Sequence, residues 1–217
     1  MKMKRKIGLL LIMVPAILAS NANAYNFGFD QITSNGNTPV ASQLIVGVTA
    51  ESGNKVLFEL FNKGRVDSSI TDVYFDDGSL LGISSLIDKD EGTGGHPGVD
   101  FSQGASPGDL PGGNTIGFDV TAGFLADSDP AVPQNGINPG EWLGISFDLK
   151  TDASFDDVIS QLGDGQLRIG LHVQSIGTIG GSESFVNNMT VIPIPSAVWL
   201  LGAGMVGLVG LRRKFRD

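Results

Sequence analysis

Two histidines, no cysteine and several short groups of carboxylates are what this chain offers for chemistry. Nucleophilic hydrolysis needs a serine or cysteine beside a general base, with the base itself oriented by a third group. The serines of Gly180-Gly181-Ser182-Glu183-Ser184 do not form the Gly-x-Ser-x-Gly elbow that presents a nucleophile on a strand-to-helix turn. His172 sits in an alternating apolar and polar stretch, which predicts a packed or hydrogen-bonded histidine in a strand. His96 lies in a Gly/Pro loop, where solvation suffices.

Two distant histidines cannot complete a zinc site without carboxylate help. Calcium takes hard oxygen ligands, for which Asp76-Asp77-Gly78, Asp88 with Asp90 and Glu91, and Asp127 with Asp129 are the candidates. None has EF-hand spacing. A glycosidase would set two carboxylates across a cleft, but among 23 acidic residues some such pair is unavoidable, so composition does not discriminate. Glu141, Trp142 and Glu183 could serve a sugar, with the indole stacking on a pyranose face. The flanking Leu143 and Ile145 favour the plainer reading, in which Trp142 belongs to the core. The expectation is therefore no catalytic residue and no cofactor, with calcium at Asp76, Asp77, Asp127 or Asp129 as the alternative.

The elements that would position these residues are mostly strands. Tyr25 to Ile32, Leu44 to Thr49, Lys55 to Asn62 and Ser69 to Phe75 alternate or are β-branched, and Gly/Asn/Asp clusters separate them. Gly53 is placed to supply a positive φ between the second and third. Residues 88–113 read as loop, and Thr115 to Leu125 resumes alternation. A second loop precedes the strong strand Glu141 to Leu149. One short helix, about Ser154 to Leu162, carries Asp156 and Asp157 near its positive N-terminus and ends at Gly163 and Gly165. Leu167 to Gln174 alternates cleanly, and a last strand is predicted near Ser184 to Ile192. The predicted fold is all-β, an antiparallel sandwich or jelly roll with one short helix. No internal period suggests a solenoid or propeller.

Both ends differ from this middle. Lys2, Lys4, Arg5 and Lys6 precede an apolar run, Ile7 to Leu18, and Ala22-Asn23-Ala24 forms a small-x-small cleavage site. Residues 1–24 thus read as a secretory signal peptide, removed after Ala24 by signal peptidase following passage through the Sec machinery. At the other end, Ile192-Pro193-Ile194-Pro195 precedes an apolar run from Ala197 to Leu211 and then Arg212, Arg213, Lys214 and Arg216. As a helix, residues 196–211 would be about 24 Å long, short for a hydrocarbon core but extended by snorkelling cations. The basic cluster places the C-terminus on the cytoplasmic side of that anchor and everything before Pro193 outside.

With leader and tail subtracted, the 14 basic and 23 acidic residues become 6 and 22, so the middle carries a net charge near −16. Such a surface repels phosphate backbones, so no nucleic-acid partner is expected. The middle, residues 25–190, is long enough for one core.

The tail resembles the PEP-CTERM sorting signal of Gram-negative bacteria in its VPLPA variant. The matching residues are Pro193-Ile194-Pro195-Ser196-Ala197, Val198-Trp199-Leu200-Leu201-Gly202 and the terminal Arg-Arg-Lys. Ile192 stands where Val usually precedes the first proline, and Ile194 where Leu or Glu is common. The resemblance implies recognition by an exosortase, a membrane transpeptidase-like protease, with cleavage near the proline motif. It also implies association with exopolysaccharide and biofilm at the cell surface or in the matrix. The strings SSITDVYFDDGSLLGI, GASPGDLPGG, GINPGEWLGISFDL and LRIGLHVQSIG are similar to a domain that recurs in PEP-CTERM proteins, for which no activity follows. Sequence alone thus leads to an exported, exosortase-sorted structural or adhesive protein. A lectin-like module, with or without calcium, and a polysaccharide-acting enzyme are the alternatives.

Overall fold

The computed structural model describes residues 24–77, 81–88, 98–126 and 132–192. His96, Asp127, Asp129, the leader up to Asn23 and the tail from Pro193 lie outside the described residues, as does the membrane helix predicted at 196–211. Among the described residues no helix is long and apolar enough to cross a membrane.

Ten strands form one antiparallel sheet: β1 (Ala24–Gln31), β2 (Leu44–Glu51), β3 (Lys55–Asn62), β4 (Ser69–Asp76), β5 (Leu81–Asp88), β6 (Phe101–Gln103), β7 (Ala122–Ala126), β8 (Trp142–Leu149), β9 (Arg168–Ile176) and β10 (Gly181–Ile192). The order across the sheet is β5-β8-β3-β2-β1-β10-β9-β4-β7-β6. Among the described residues a four-residue helix, α1 (Val132–Asn135), a ten-residue helix, α2 (Phe155–Asp164), and three 3-10 turns make up the rest of the regular structure.

The sheet curls until its halves face each other. β3 and β4 are separated in it by four strands, yet Phe58 and Phe75 meet at a ring-centroid distance of 5.1 Å. Phe147 of β8 lies 4.8 Å from Phe75 and 6.2 Å from Phe124 of β7, all edge-to-face. The end strands β5 and β6 also touch, so the result is a nearly closed barrel or sandwich. Closure follows from strand periodicity. Val46 and Val48 of β2, Val56, Phe58 and Leu60 of β3, Leu143, Ile145 and Phe147 of β8, and Ile169, Leu171 and Val173 of β9 occupy alternate positions and are all buried. Curling the sheet removes those side chains from water, at about 25 cal/mol per Å² of apolar surface.

β4 departs from alternation because it is covered on both faces. Its Tyr74 packs outward beneath residues 104–121, against Leu110 and Phe118. Gly170 of the neighbouring strand leaves the space this requires, since a Cβ there would lie 2.7 Å from Leu110 and 3.1 Å from Phe118.

Several expectations change. Residues 113–121 are not strand: Gly113–Ile116 is a 3-10 turn flanked by Gly112 and Gly117 at φ +76° and +62°, and pairing begins at Ala122. β5 lies in a region whose lack of clean alternation predicts no strand; it is an edge strand held by β8. Gly163 is inside α2, and Gly165 at φ +81° terminates the helix. Ser154 caps its N-terminus, accepting from the Asp157 amide while Asp157 accepts from the Ser154 amide. Gly53 adopts the expected positive φ, joined by Asn54.

Candidate functional site

Antiparallel pairing sorts the strand ends into two poles. β1 begins at Ala24 and β10 ends at Ile192, and these strands pair side by side, Asn26 opposite Ile192 and Phe27 opposite Val191. Both ends of the described chain therefore leave one pole. The opposite pole carries the end of β1 and residues 32–43, the end of β9, and the start of β10 and of β8.

At that opposite pole a cleft of about 270 Å³ is lined by Asn35, Gly36, Asn37 and Thr38 on one side, Ile176, Ile179 and Gly181 on the other, and Glu183. Glu183 is 3% exposed and holds the cleft's shape. Its Oε1 accepts from the Asn35 and Gly36 amides at 2.6 Å each, and its Oε2 accepts the Thr33 hydroxyl proton at 2.6 Å. Thr33 Oγ1 in turn accepts from the Ser184 amide at 2.8 Å, and Asn35 Nδ2 donates to the Ser182 carbonyl at 3.1 Å. A β-bulge between Gly181 and Glu183 shifts the register of β10 against β9 beside this carboxylate. The far wall turns through Gly177 and Gly180, at φ +61° and +76°. It leaves Ile179 94% exposed above the buried Ile176.

Beside this pole, Phe61 and Trp142 are directly opposed on β3 and β8, with centroids 6.4 Å apart and planes tilted by 39°. Trp142 is not a core residue. Leu143, Ile145 and Phe147 take the inward positions of β8, so the period of two turns the indole outward, where it is partly buried. Lys63 Nζ sits 4.2 Å from the centre of the Phe61 ring. Next in the sheet, Gly47 has no side chain, and a Cβ there would lie 3.3 Å from Asn26 Oδ1 and 3.6 Å from Phe61. The Glu59 carboxyl is raised above its ordinary range, chiefly by burial, with Lys63 pulling it down and Glu51 pushing it up.

His172 is hydrogen-bonded in a strand, as its sequence context suggests. Its Nδ1 lies 3.0 Å from Oδ2 of the fully buried Asp72, which also accepts from Thr71 Oγ1 at 2.9 Å. Thr71 is the extra residue of a bulge in β4 and itself accepts from Gln174 Nε2 at 3.0 Å. Ser184 is the cross-strand neighbour of His172 on the other side, so serine, histidine and aspartate lie in a row across three strands. The Ser184 Oγ is buried and makes no hydrogen bond among the described residues. The bond that would prime a nucleophile is not formed.

Of the acidic candidates, Asp90, Glu91, Asp127 and Asp129 lie outside the described residues, and Asp76 and Asp77 are taken up by structural bonds. Asp76 accepts from Arg168 Nε at 3.1 Å and from Nη2, and from the Asp119 amide at 3.1 Å. Arg168 also donates to the Ile116 carbonyl and lies over the Phe118 ring, so this pair fastens residues 113–121 to the sheet. Asp77 is buried, with its amide on Thr121 Oγ1 at 3.2 Å. Among the described residues no three His, Asp or Glu side chains are grouped to hold a metal ion. Glu141 braces its own turn, Oε2 accepting from the Asn138 amide and Nδ2 at 2.8 and 3.1 Å.

Sequence reasoning named Glu183 as a sugar candidate but missed Asn35, Asn37, Thr38 and Ile179, which lie some 150 positions away or in a turn. The exposed isoleucine in a Gly-rich turn, Gly177-Thr178-Ile179-Gly180, was the available signal. Comparison with protein-family models, curated proteins and solved structures finds no match.

Proposed function

We propose that this is an exported, exosortase-sorted surface protein that works by contact with exopolysaccharide, not by catalysis. The observation that carries the reading is the adjacency of Asn26 and Ile192 at one pole, just after the predicted signal cleavage site and just before the predicted proline motif. A chain tethered through residues 196–211 would hold that pole toward the membrane. The cleft pole and the Phe61–Trp142 pair would then face outward. Calcium has no part in this reading, and Pro193-Ile194-Pro195-Ser196-Ala197 is assigned as the sorting motif with Arg212, Arg213, Lys214 and Arg216 as the membrane stop.

Intact mass and fractionation of the native protein, in cells with and without their exosortase, test it. The expected result is loss of the first 24 residues in both strains and loss of a tail from near Pro193 in the exosortase strain alone. Retention of Arg212 to Asp217 in both strains overturns sorting and leaves a permanent anchor.

A further inference from the structure

We propose that the cleft between residues 35–38 and the Ile176–Glu183 turn binds one neutral sugar residue of a glycan. The inference deepens the contact reading above and rests on it, but is independent of how the tail is processed.

The lining selects the ligand class by exclusion and by fit. The buried Glu183 carboxylate, within a middle domain of net charge near −16, disfavours an anion. A divalent cation needs several oxygen ligands, whereas among the described residues one carboxylate lines this cleft and already takes three donors. Among the described residues no aromatic ring lines it, so a nucleobase or other flat ring finds nothing there to stack on. What the cleft offers is polar on one wall and aliphatic on the other. Asn35, Asn37 and Thr38 supply donors and acceptors for hydroxyl groups. Ile176 forms an apolar floor, and the exposed Ile179 stands as an apolar flank beside it. A sugar ring presents the same division, with hydroxyls at its edge and C–H groups on its face. At about 270 Å³ the cleft falls just below the size of drug-binding pockets, which suits one ring rather than two.

The cleft is also set before any ligand arrives. Three hydrogen bonds to a carboxylate hold residues 33–36, and Thr38 packs where a Cβ on Gly177 would be 3.2 Å from its Oγ1. Ordering that loop is therefore not charged against binding. Among the described residues the exposed Asn37 carboxamide has no hydrogen-bond partner, so it is free to take one from a ligand.

The test is titration of the full chain, purified in mild detergent, with neutral polymers of glucose, galactose and mannose, and with an acidic uronic-acid polymer for comparison. Asn37→Ala and Ile179→Ser are the cleft variants, both at exposed positions, and Phe61→Ala is the control on the aromatic pair. Thermal midpoints confirm folding. Binding to at least one neutral polymer is expected, weakened tenfold or more by each cleft variant and less than twofold by Phe61→Ala. Loss of binding with Phe61→Ala alone overturns the cleft assignment while keeping the contact reading, and moves the site to the aromatic pair. Binding to no neutral polymer overturns the assignment as well. Tail-dependent surface display in the same strains then shows whether the sorting half of the proposed function survives.

Discussion

Glu183 gives the sharpest test of how the cleft pole is held. Its carboxylate receives three donors at 2.6 Å, two of them backbone amides of residues 35 and 36. Hydrogen bonds to a charged acceptor contribute about 1.5–3 kcal/mol each where water is excluded. Asn35 and Gly36 are exposed and Thr33 is half-buried, so water replaces part of what they would lose. Glu183→Ala should therefore cost about 3–4 kcal/mol, below the sum of three full bonds. Glu183→Gln keeps an acceptor for the two amides but turns an NH₂ toward Thr33, whose oxygen already accepts from the Ser184 amide. Its cost should be about 1–2 kcal/mol. With a urea m-value of about 2 kcal/mol/M, the midpoint should fall by about 1.5–2 M for the alanine variant and about 0.5–1 M for the glutamine variant, with m unchanged. Amide hydrogen exchange at Asn35 and Gly36 should quicken at least tenfold in the alanine variant, while the amides of β3 stay protected. Equal losses in the two variants would refute the reasoning, because the damage would then come from packing. A loss under 1 kcal/mol for alanine would show that the loop is held by something else.

Three further outcomes are expected. Phe147→Ala removes a ring in edge-to-face contact with Phe58, Phe75 and Phe124 and should cost about 3–5 kcal/mol by chemical denaturation. A smaller loss would mean that the two halves of the sheet do not meet there. Glu59→Gln should stabilise the protein at neutral pH and do nothing below the ordinary glutamate range. Burial raises this carboxyl, so the folded state holds its proton to higher pH than the unfolded chain, and stability falls as pH rises through that window. Thermal midpoints of both proteins from pH 4 to 8 check the sign. Ser154→Ala should cost about 1 kcal/mol of helix capping. Ser154 also lowers the Asp157 carboxyl, first through its side chain, so the part of the stability that comes from the hydroxyl donating to the carboxylate is present above the ordinary aspartate range and is lost as pH falls through the depressed value, while the bond the hydroxyl accepts from the Asp157 amide stays. The wild-type advantage over Ser154→Ala should therefore narrow without vanishing at low pH, and an advantage that did not change with pH would contradict this.

What sequence determined by itself is local. Alternation at Val56, Phe58 and Leu60, or at Leu143, Ile145 and Phe147, is visible because a strand repeats every two residues whatever it pairs with. Ser154 with Asp157, and Gly53 before Lys55, are legible for the same reason, since caps and tight turns are completed within a few positions. The order of the strands was not legible, because β1 takes as neighbours both the next strand and the last one, β10. Alternation also says which residues share a face but not which face is inner, so Trp142 was assigned to the core that its neighbours occupy. The strand at 81–88 and the non-strand conformation of 115–121 are not legible because edge pairing and glycine conformations override the pattern there. The cleft belongs wholly to tertiary structure. Glu183 meets Thr33 across 150 positions of chain, and the pairing of β1 with β10 sets Asn37 and Ile179 on opposite walls. Contacts between distant residues depend on how hydrophobic faces are buried together, and that is a property of the whole chain.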